Sequence, residues 1–205
     1  MEFNIKNMIR PHLLDSKSYQ SLRNSYLQKE VVLLDANENP FGSYNRYPDA
    51  EHLQLKLKLA EINEVQPEQL FLGNGSDELI DLAMRMFCEP TQDAILVFNP
   101  SFVMYEISAK LNNLDVEKLQ LNSDFQLEKE VFQNAISKTK AKILFLCSPN
   151  NPTGTPVSLD VIEAVYEASR GIVIIDEAYW EFAPKDQPSA LTLLPGRPRL
   201  VVSRT

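Results

Sequence analysis

The sequence is poor in the residues from which metal centres and disulfide frameworks are built. Its 205 residues include two cysteines, Cys88 and Cys147, and two histidines, His12 and His52. Each cysteine lies inside an apolar run, Met86-Phe87-Cys88 and Phe145-Leu146-Cys147, the setting of a small buried hydrophobe. None of the four stands in metal-ligand spacing, so no metal site is expected. No apolar run reaches the length of a membrane span, and no signal-peptide pattern opens the chain. A reducing cytoplasm is the expected compartment. Basic residues are also in deficit, with a formal net charge of −8. The mean field therefore repels nucleic acid and anionic lipid, and neither is expected as a partner. A small phosphorylated ligand answers to its local site and stays open. No internal repeat or low-complexity tract interrupts the chain.

What is present reads as a soluble globular protein. A hydrophobic fraction of 44% beside 23% charged residues suffices for a substantial core at this length. Residues 1–30 are polar and weakly periodic, with Pro11 as a breaker, and read as an N-terminal arm with a short helix. From Val31 to Thr205 short apolar runs alternate with helical patterns. Strands are expected at Gln69–Leu72, Ala94–Phe98, Lys142–Cys147, Ile172–Asp176 and Leu200–Ser203, all rich in Val, Ile, Leu or Phe and none alternating, as in strands buried on both faces. Helices are expected from Asp49 (with Leu53, Leu57 and Ala60 on one face), near Ser76, near Ser101, around Leu127, and from Ser158 to Arg170-Gly171. This alternation implies an α/β fold with a mostly parallel sheet covered on both faces. Ligands of such sheets bind beyond the carboxyl ends of the strands.

Four segments fall at those ends. Gly73-Asn74-Gly75-Ser76-Asp77-Glu78 leads from an expected strand into a helix. It is either a plain turn capped by Ser76 or an anion-binding turn whose small residues admit a phosphate to free N–H groups. Its glycine spacing fits neither a Walker loop nor a dinucleotide fingerprint. Cys147-Ser148-Pro149-Asn150-Asn151-Pro152-Thr153-Gly154 is a loop stiffened by two prolines, which fixes the direction of Asn151; either X-Pro bond is a candidate for cis. Ile174-Ile175-Asp176 ends an apolar strand on a carboxylate. That acid either caps the next turn or keeps a heteroaromatic nitrogen protonated, with Tyr179 near enough to donate to the same ring. In Pro100-Ser101-Phe102-Val103-Met104-Tyr105, Phe102 is either core or a flat surface for a planar cofactor.

In order and spacing these segments resemble the fold-type-I pyridoxal-phosphate (PLP) aminotransferases, and within them the histidinol-phosphate aminotransferase family. The matching stretches are Leu34-Asp35-Ala36-Asn37-Glu38-Asn39-Pro40, Arg46-Tyr47-Pro48-Asp49, GNGSDE from Gly73, CSPNNPTG from Cys147 and DEAYWEF from Asp176. The resemblance covers nearly the whole chain. It implies a three-layer α/β/α large domain, here residues 31–205 and incomplete, with the family's C-terminal small domain absent. It places Ser76 and Asp77 at the cofactor phosphate, Phe102 on the pyridine ring, and Asn151 and Tyr179 on the ring hydroxyl oxygen. Asp176 pairs with the pyridine nitrogen, and Tyr47 reaches the phosphate in the neighbouring subunit, which implies a homodimer with shared sites. Tyr19 and Asn37 match substrate-side positions.

The implied reaction is amino transfer from L-histidinol phosphate to 2-oxoglutarate, giving imidazole acetol phosphate and L-glutamate in histidine biosynthesis. The family's Schiff-base lysine falls in a Ser-Lys-Ala type segment about three residues past Thr205 by the family pattern. Lys185, in a Pro-Lys-Asp-Gln-Pro turn, reads as a solvated loop residue. The 205-residue chain alone is therefore expected to be inactive. Other readings are a sister PLP aminotransferase acting on aromatic donors, a related decarboxylase, or a non-catalytic remnant or half of a split enzyme.

Overall fold

The computed structural model describes residues 3–17, 32, 34 and 36–205. The chain forms two compact units, one of residues 1–14 with 73–205 and one of residues 15–72.

The larger unit is built on a five-stranded sheet. Its strands are β1 (Ala94–Asn99), β2 (Asp115–Gln120), β3 (Ala141–Cys147), β4 (Ile172–Asp176) and β5 (Leu200–Ser203). All neighbours are parallel, in the order β2-β1-β3-β4-β5. Between them run α2 (Gly75–Phe87), α3 (Met104–Leu111), α4 (Lys129–Ile136) and α5 (Leu159–Ala168); α1 (Leu53–Asn63) lies in the smaller unit.

Successive strand residues face opposite sides of the sheet, and two apolar cores follow from that alternation. Leu96, Phe98, Leu144, Leu146, Val173 and Ile175 pack with Phe132 and Ile136 of α4 and Ile162 and Val165 of α5. Ile95, Val97, Ile143, Phe145, Ile172 and Ile174 pack with Ile80 and Met84 of α2 and Tyr105 and Ala109 of α3. This is the three-layer α/β/α arrangement expected for the fold-type-I class. Gly171 marks a close approach between strands: a Cβ there would lie 2.6 Å from the Lys142 carbonyl oxygen and 2.9 Å from that of Ala141.

Four of the five expected strands form. Gln69–Leu72 does not, because Pro67–Gln69 makes a 3-10 turn and Leu70 leaves it extended but outside any ladder. The fifth strand is instead Asp115–Gln120, a polar stretch at the sheet edge, paired among the described residues only with β1. The helix expected from Asp49 starts at Leu53; Asp49 caps it, with Oδ2 accepting from the Leu53 N–H at 2.8 Å and Oδ1 from that of Glu51 at 2.9 Å. These bonds hold the Asp49 carboxyl below its ordinary pKa. The helix expected near Ser101 starts at Met104, and the last helix stops at Ala168.

Candidate functional site

Strand order locates the site before any side chain is considered. The chain leaves β1 for β2 on one side and returns to β3 on the other, so the order reverses between β1 and β3. The loops after two such diverging strands leave a crevice at their carboxyl ends. Those loops here are residues 100–103 and 148–158. Asn150 ties them together: its Oδ1 accepts from the Ser101 hydroxyl at 2.9 Å, and its Nδ2 donates to the Pro100 carbonyl at 3.0 Å and the Thr153 hydroxyl at 2.9 Å. The Ser148–Pro149 and Asn151–Pro152 bonds are both cis, as is Asn99–Pro100.

Register then aligns three polar side chains in a row. Cys147 pairs with Asp176, and Asp176 with Ser203. Asp176 has the parity of Ile172 and Ile174, so its side chain faces α2 and α3. The carboxylate is buried, with 2% exposure. Its Oδ2 accepts from the Tyr105 hydroxyl at 2.6 Å, and its Oδ1 from the Ala178 N–H at 3.1 Å and the Ser203 hydroxyl at 3.2 Å. Burial, and then the Asp176 charge, raise the Tyr105 phenol above its ordinary pKa, so it acts as a donor. Burial, again followed by that charge, pushes the Cys147 thiol up to about 11; it donates to the Pro149 carbonyl at 3.2 Å.

Asn151 and Tyr179 stand near the same strand ends. Asn151 Nδ2 donates to the Tyr179 hydroxyl oxygen at 3.3 Å, and Tyr179 is 43% exposed. Phe102 is half-buried, its ring edge-on to Tyr105 at 5.6 Å and 88°.

The GNGSDE turn joins this edge of the sheet. Gly75 takes φ +78, a left-handed conformation that suits glycine, and a Cβ on it would lie 3.9 Å from Thr205 Oγ1 just past β5. The turn is braced by Glu78, whose Oε2 accepts from the Asn74 N–H at 2.5 Å. Asn74 itself gives α2 no side-chain cap. Ser76 and Asp77 occupy the first turn, Ser76 half-buried and Asp77 exposed.

Behind the site Glu177 closes an ion cluster. It is buried, accepts from the Ala190 N–H at 2.7 Å and the Ser189 hydroxyl at 2.8 Å, and pairs with Arg204 at 2.9 Å. The Arg204 guanidinium lies 5.5 Å from the Trp180 ring centroid. The cluster joins the segment after β4 to the end of β5.

In the smaller unit two of the sequence motifs meet each other. Glu38 accepts from Arg46 at 2.8 Å and from the Tyr47 N–H at 2.7 Å, bringing the ANENP and RYPD stretches together. Asn37 is exposed with φ 47, and Tyr47 is exposed. Tyr19 lies outside the described residues.

The structure thus groups Ser76, Asp77, Phe102, Asn151, Asp176 and Tyr179 at the carboxyl edge of one sheet, on the larger unit. It adds residues that sequence reasoning passed over, chiefly Tyr105, Ser203 and the Glu177–Arg204 pair. Tyr105 carries a signal in retrospect: it lies three residues after Phe102, and a phenol on an apolar helix stripe needs a partner for its hydroxyl.

The chain is similar to known proteins over most of its length. A family model described as aminotransferase class I and II matches residues 13–205. A histidinol-phosphate aminotransferase of Cytophaga hutchinsonii is 41% identical over 100% of this chain and 60% of its own length. One of Parabacteroides distasonis is 43% identical over 98% of this chain and 58% of its own. The chain therefore spans about three fifths of the curated relatives it matches. Among solved structures, a putative histidinol-phosphate aminotransferase from Erwinia carotovora atroseptica superposes with a TM-score of 0.68 at 29% identity, over 78% of this chain and 47% of that one. The fold is shared with that enzyme of Sinorhizobium meliloti solved with pyridoxal-5'-phosphate (TM-score 0.70, 24% identity, 78% and 44% covered). With a family model matched along nearly its whole length, this chain belongs to the class I and II aminotransferases.

Proposed function

We propose that this chain forms the cofactor-binding part of a PLP-dependent histidinol-phosphate aminotransferase. The reaction is transfer of the amino group of L-histidinol phosphate to 2-oxoglutarate, giving imidazole acetol phosphate and L-glutamate. The observation that carries the reading is Asp176, a buried carboxylate held at a strand end by three donors. An ionised carboxylate has about four acceptor sites, so the site retains one for a protonated ring nitrogen. That fits PLP, which when bound supplies an electron sink for the pair left as substrate Cα loses its proton.

The other residues have complementary roles. Asp176 holds the ring-nitrogen proton by charge and hydrogen bonding. Asn151 and Tyr179, already paired, turn their polar atoms to the ring hydroxyl oxygen. Phe102 offers a ring face. Ser76 and Asp77 bring the first turn of α2 to the phosphate, where backbone N–H groups lack intrahelical acceptors. Residues 31–205 serve as the large domain and 1–30 as an arm. Tyr47 reaches the phosphate of a second subunit in a cytoplasmic homodimer, and Tyr19 and Asn37 contact substrate.

Steady-state rates of the full-length protein with L-histidinol phosphate and with phenylalanine as amino donors test the assignment. A kcat/KM preference for histidinol phosphate is expected. Equal or reversed preference sinks the substrate, and absence of PLP from the purified protein sinks the cofactor.

A further inference from the structure

Tyr105 belongs to neither set of roles above, yet it makes the shortest contact to the Asp176 carboxylate. Its ring is wholly buried, with 0% exposure. It stacks on Phe145 of β3 at 4.7 Å and 14° and receives Phe102 edge-on at 5.6 Å. A ring clamped on two sides has little freedom to redirect its hydroxyl oxygen, so the 2.6 Å contact to Asp176 Oδ2 is set by the core packing of α3 on β3. The approach comes from the α2/α3 core. Oδ1 is meanwhile held from the strand-end side by Ala178 and Ser203. Three donors converge on the group, the complement of an acceptor-only carboxylate.

A buried phenol needs some acceptor, and a backbone carbonyl would satisfy it. Here the acceptor is the one carboxylate that ends β4 in the crevice, 71 residues further along the chain. Hydrogen bonds to an ionised partner are about twice as strong as neutral ones. The side chain that meets Phe102 edge-on therefore also determines where the Asp176 charge points.

We infer that Tyr105 is a positioning residue for the cofactor's ring nitrogen, acting through Asp176. Its hydroxyl fixes Oδ2 from the core side so that the remaining acceptor site of the carboxylate is presented to the crevice. This rests on the PLP reading proposed above. Phe102 is coupled to the same device, because the ring it packs against is the one that aims the acid.

The test is a double-mutant cycle in the full-length protein. PLP affinity is measured by equilibrium dialysis for wild type, Tyr105→Phe, Asp176→Asn and the double variant. Near-UV circular dichroism of each apo protein checks that the core packing persists, and Phe at position 105 keeps the stack. Tyr105→Phe is expected to weaken PLP binding roughly tenfold when Asp176 is present, the factor for one hydrogen bond to a charge. In the Asp176→Asn background the same change is expected to cost less than about threefold. With PLP labelled at the ring nitrogen, the 15N resonance should move from the protonated towards the neutral position in Tyr105→Phe. Equal losses in both backgrounds, or an unchanged 15N shift, overturn the positioning role and leave the cofactor reading intact. A wild-type protein that takes up no PLP overturns both.

Discussion

At the residue scale the Glu177–Arg204 pair is the most exposed to single changes, because a buried ion is stabilising only while its partners remain. Glu177 is 2% exposed on its side chain and Arg204 27%. Arg204→Ala leaves the carboxylate with the Ser189 hydroxyl and the Ala190 N–H but no counter-charge. Breaking a buried pair from one side costs about 3–5 kcal/mol; with two donors retained, about 3 kcal/mol is expected here from urea unfolding of the full-length protein. A change below 1 kcal/mol would mean that solvent already screens the pair. The candidate ligands themselves were legible as residues, since Asp176, Asn151, Tyr179 and Phe102 stand in strings that announce strand ends and stiff loops. Their second layer was not. Ser203 looks like an ordinary strand residue until register sets it beside Asp176, and the spacing of Tyr105 after Phe102 does not by itself name the carboxylate that its hydroxyl meets.

At the element scale, legibility followed burial. Ala94–Asn99, Ala141–Cys147 and Ile172–Asp176 are covered on both faces and contain the apolar runs 94–98, 143–147 and 172–175. Asp115–Gln120 has one neighbour among the described residues and exposes half its residues, so Asp-Val-Glu-Lys-Leu-Gln carries no run to find. Leu70-Phe71-Leu72 shows the opposite failure, an apolar triplet without a ladder partner in the described structure. Phe71 is 66% exposed. Helix starts slipped by three or four residues where a cap or turn precedes the first helical bond, as with Asp49 before α1 and Phe102 before α3. The junction of β3 and β4 gives a direct test of backbone proximity. Gly171→Ala places a methyl group 2.6 Å from a carbonyl oxygen that belongs to the main chain and cannot rotate aside. A destabilisation of about 1–3 kcal/mol, the cost of overpacking, is expected by chemical denaturation. Gly154→Ala, with open space around its Cβ but φ +71, separates steric clash from backbone strain.

At the scale of the whole molecule, the proposed homodimer with shared sites makes a prediction that composition alone does not. Tyr47 and Asp176 lie in different compact units of the chain. If each site takes Tyr47 from one subunit and Asp176 from the other, Tyr47→Phe and Asp176→Ala full-length proteins are each nearly inactive. Refolding them together should restore part of the activity, because one site of a mixed dimer carries both native residues. No recovery in a mixture shown by mass spectrometry to contain heterodimers would place both residues in the same subunit's site.

The convergence of distant segments at the carboxyl edge of the sheet has a consequence for folding. Asp176 meets a hydroxyl 71 residues before it, Asn151 meets one 28 residues after it, and the turn at Gly75 lies beside Thr205. Contacts so far apart in sequence close slowly, since loop entropy is spent before any of them is gained. The first two need β1, β3 and β4 side by side, and the last needs β5 docked against β4 as well. A ligand that needs them together therefore recognises only finished sheets and adds RT ln(1 + [L]/Kd) to their stability. Protein without that ligand is therefore less stable by this increment.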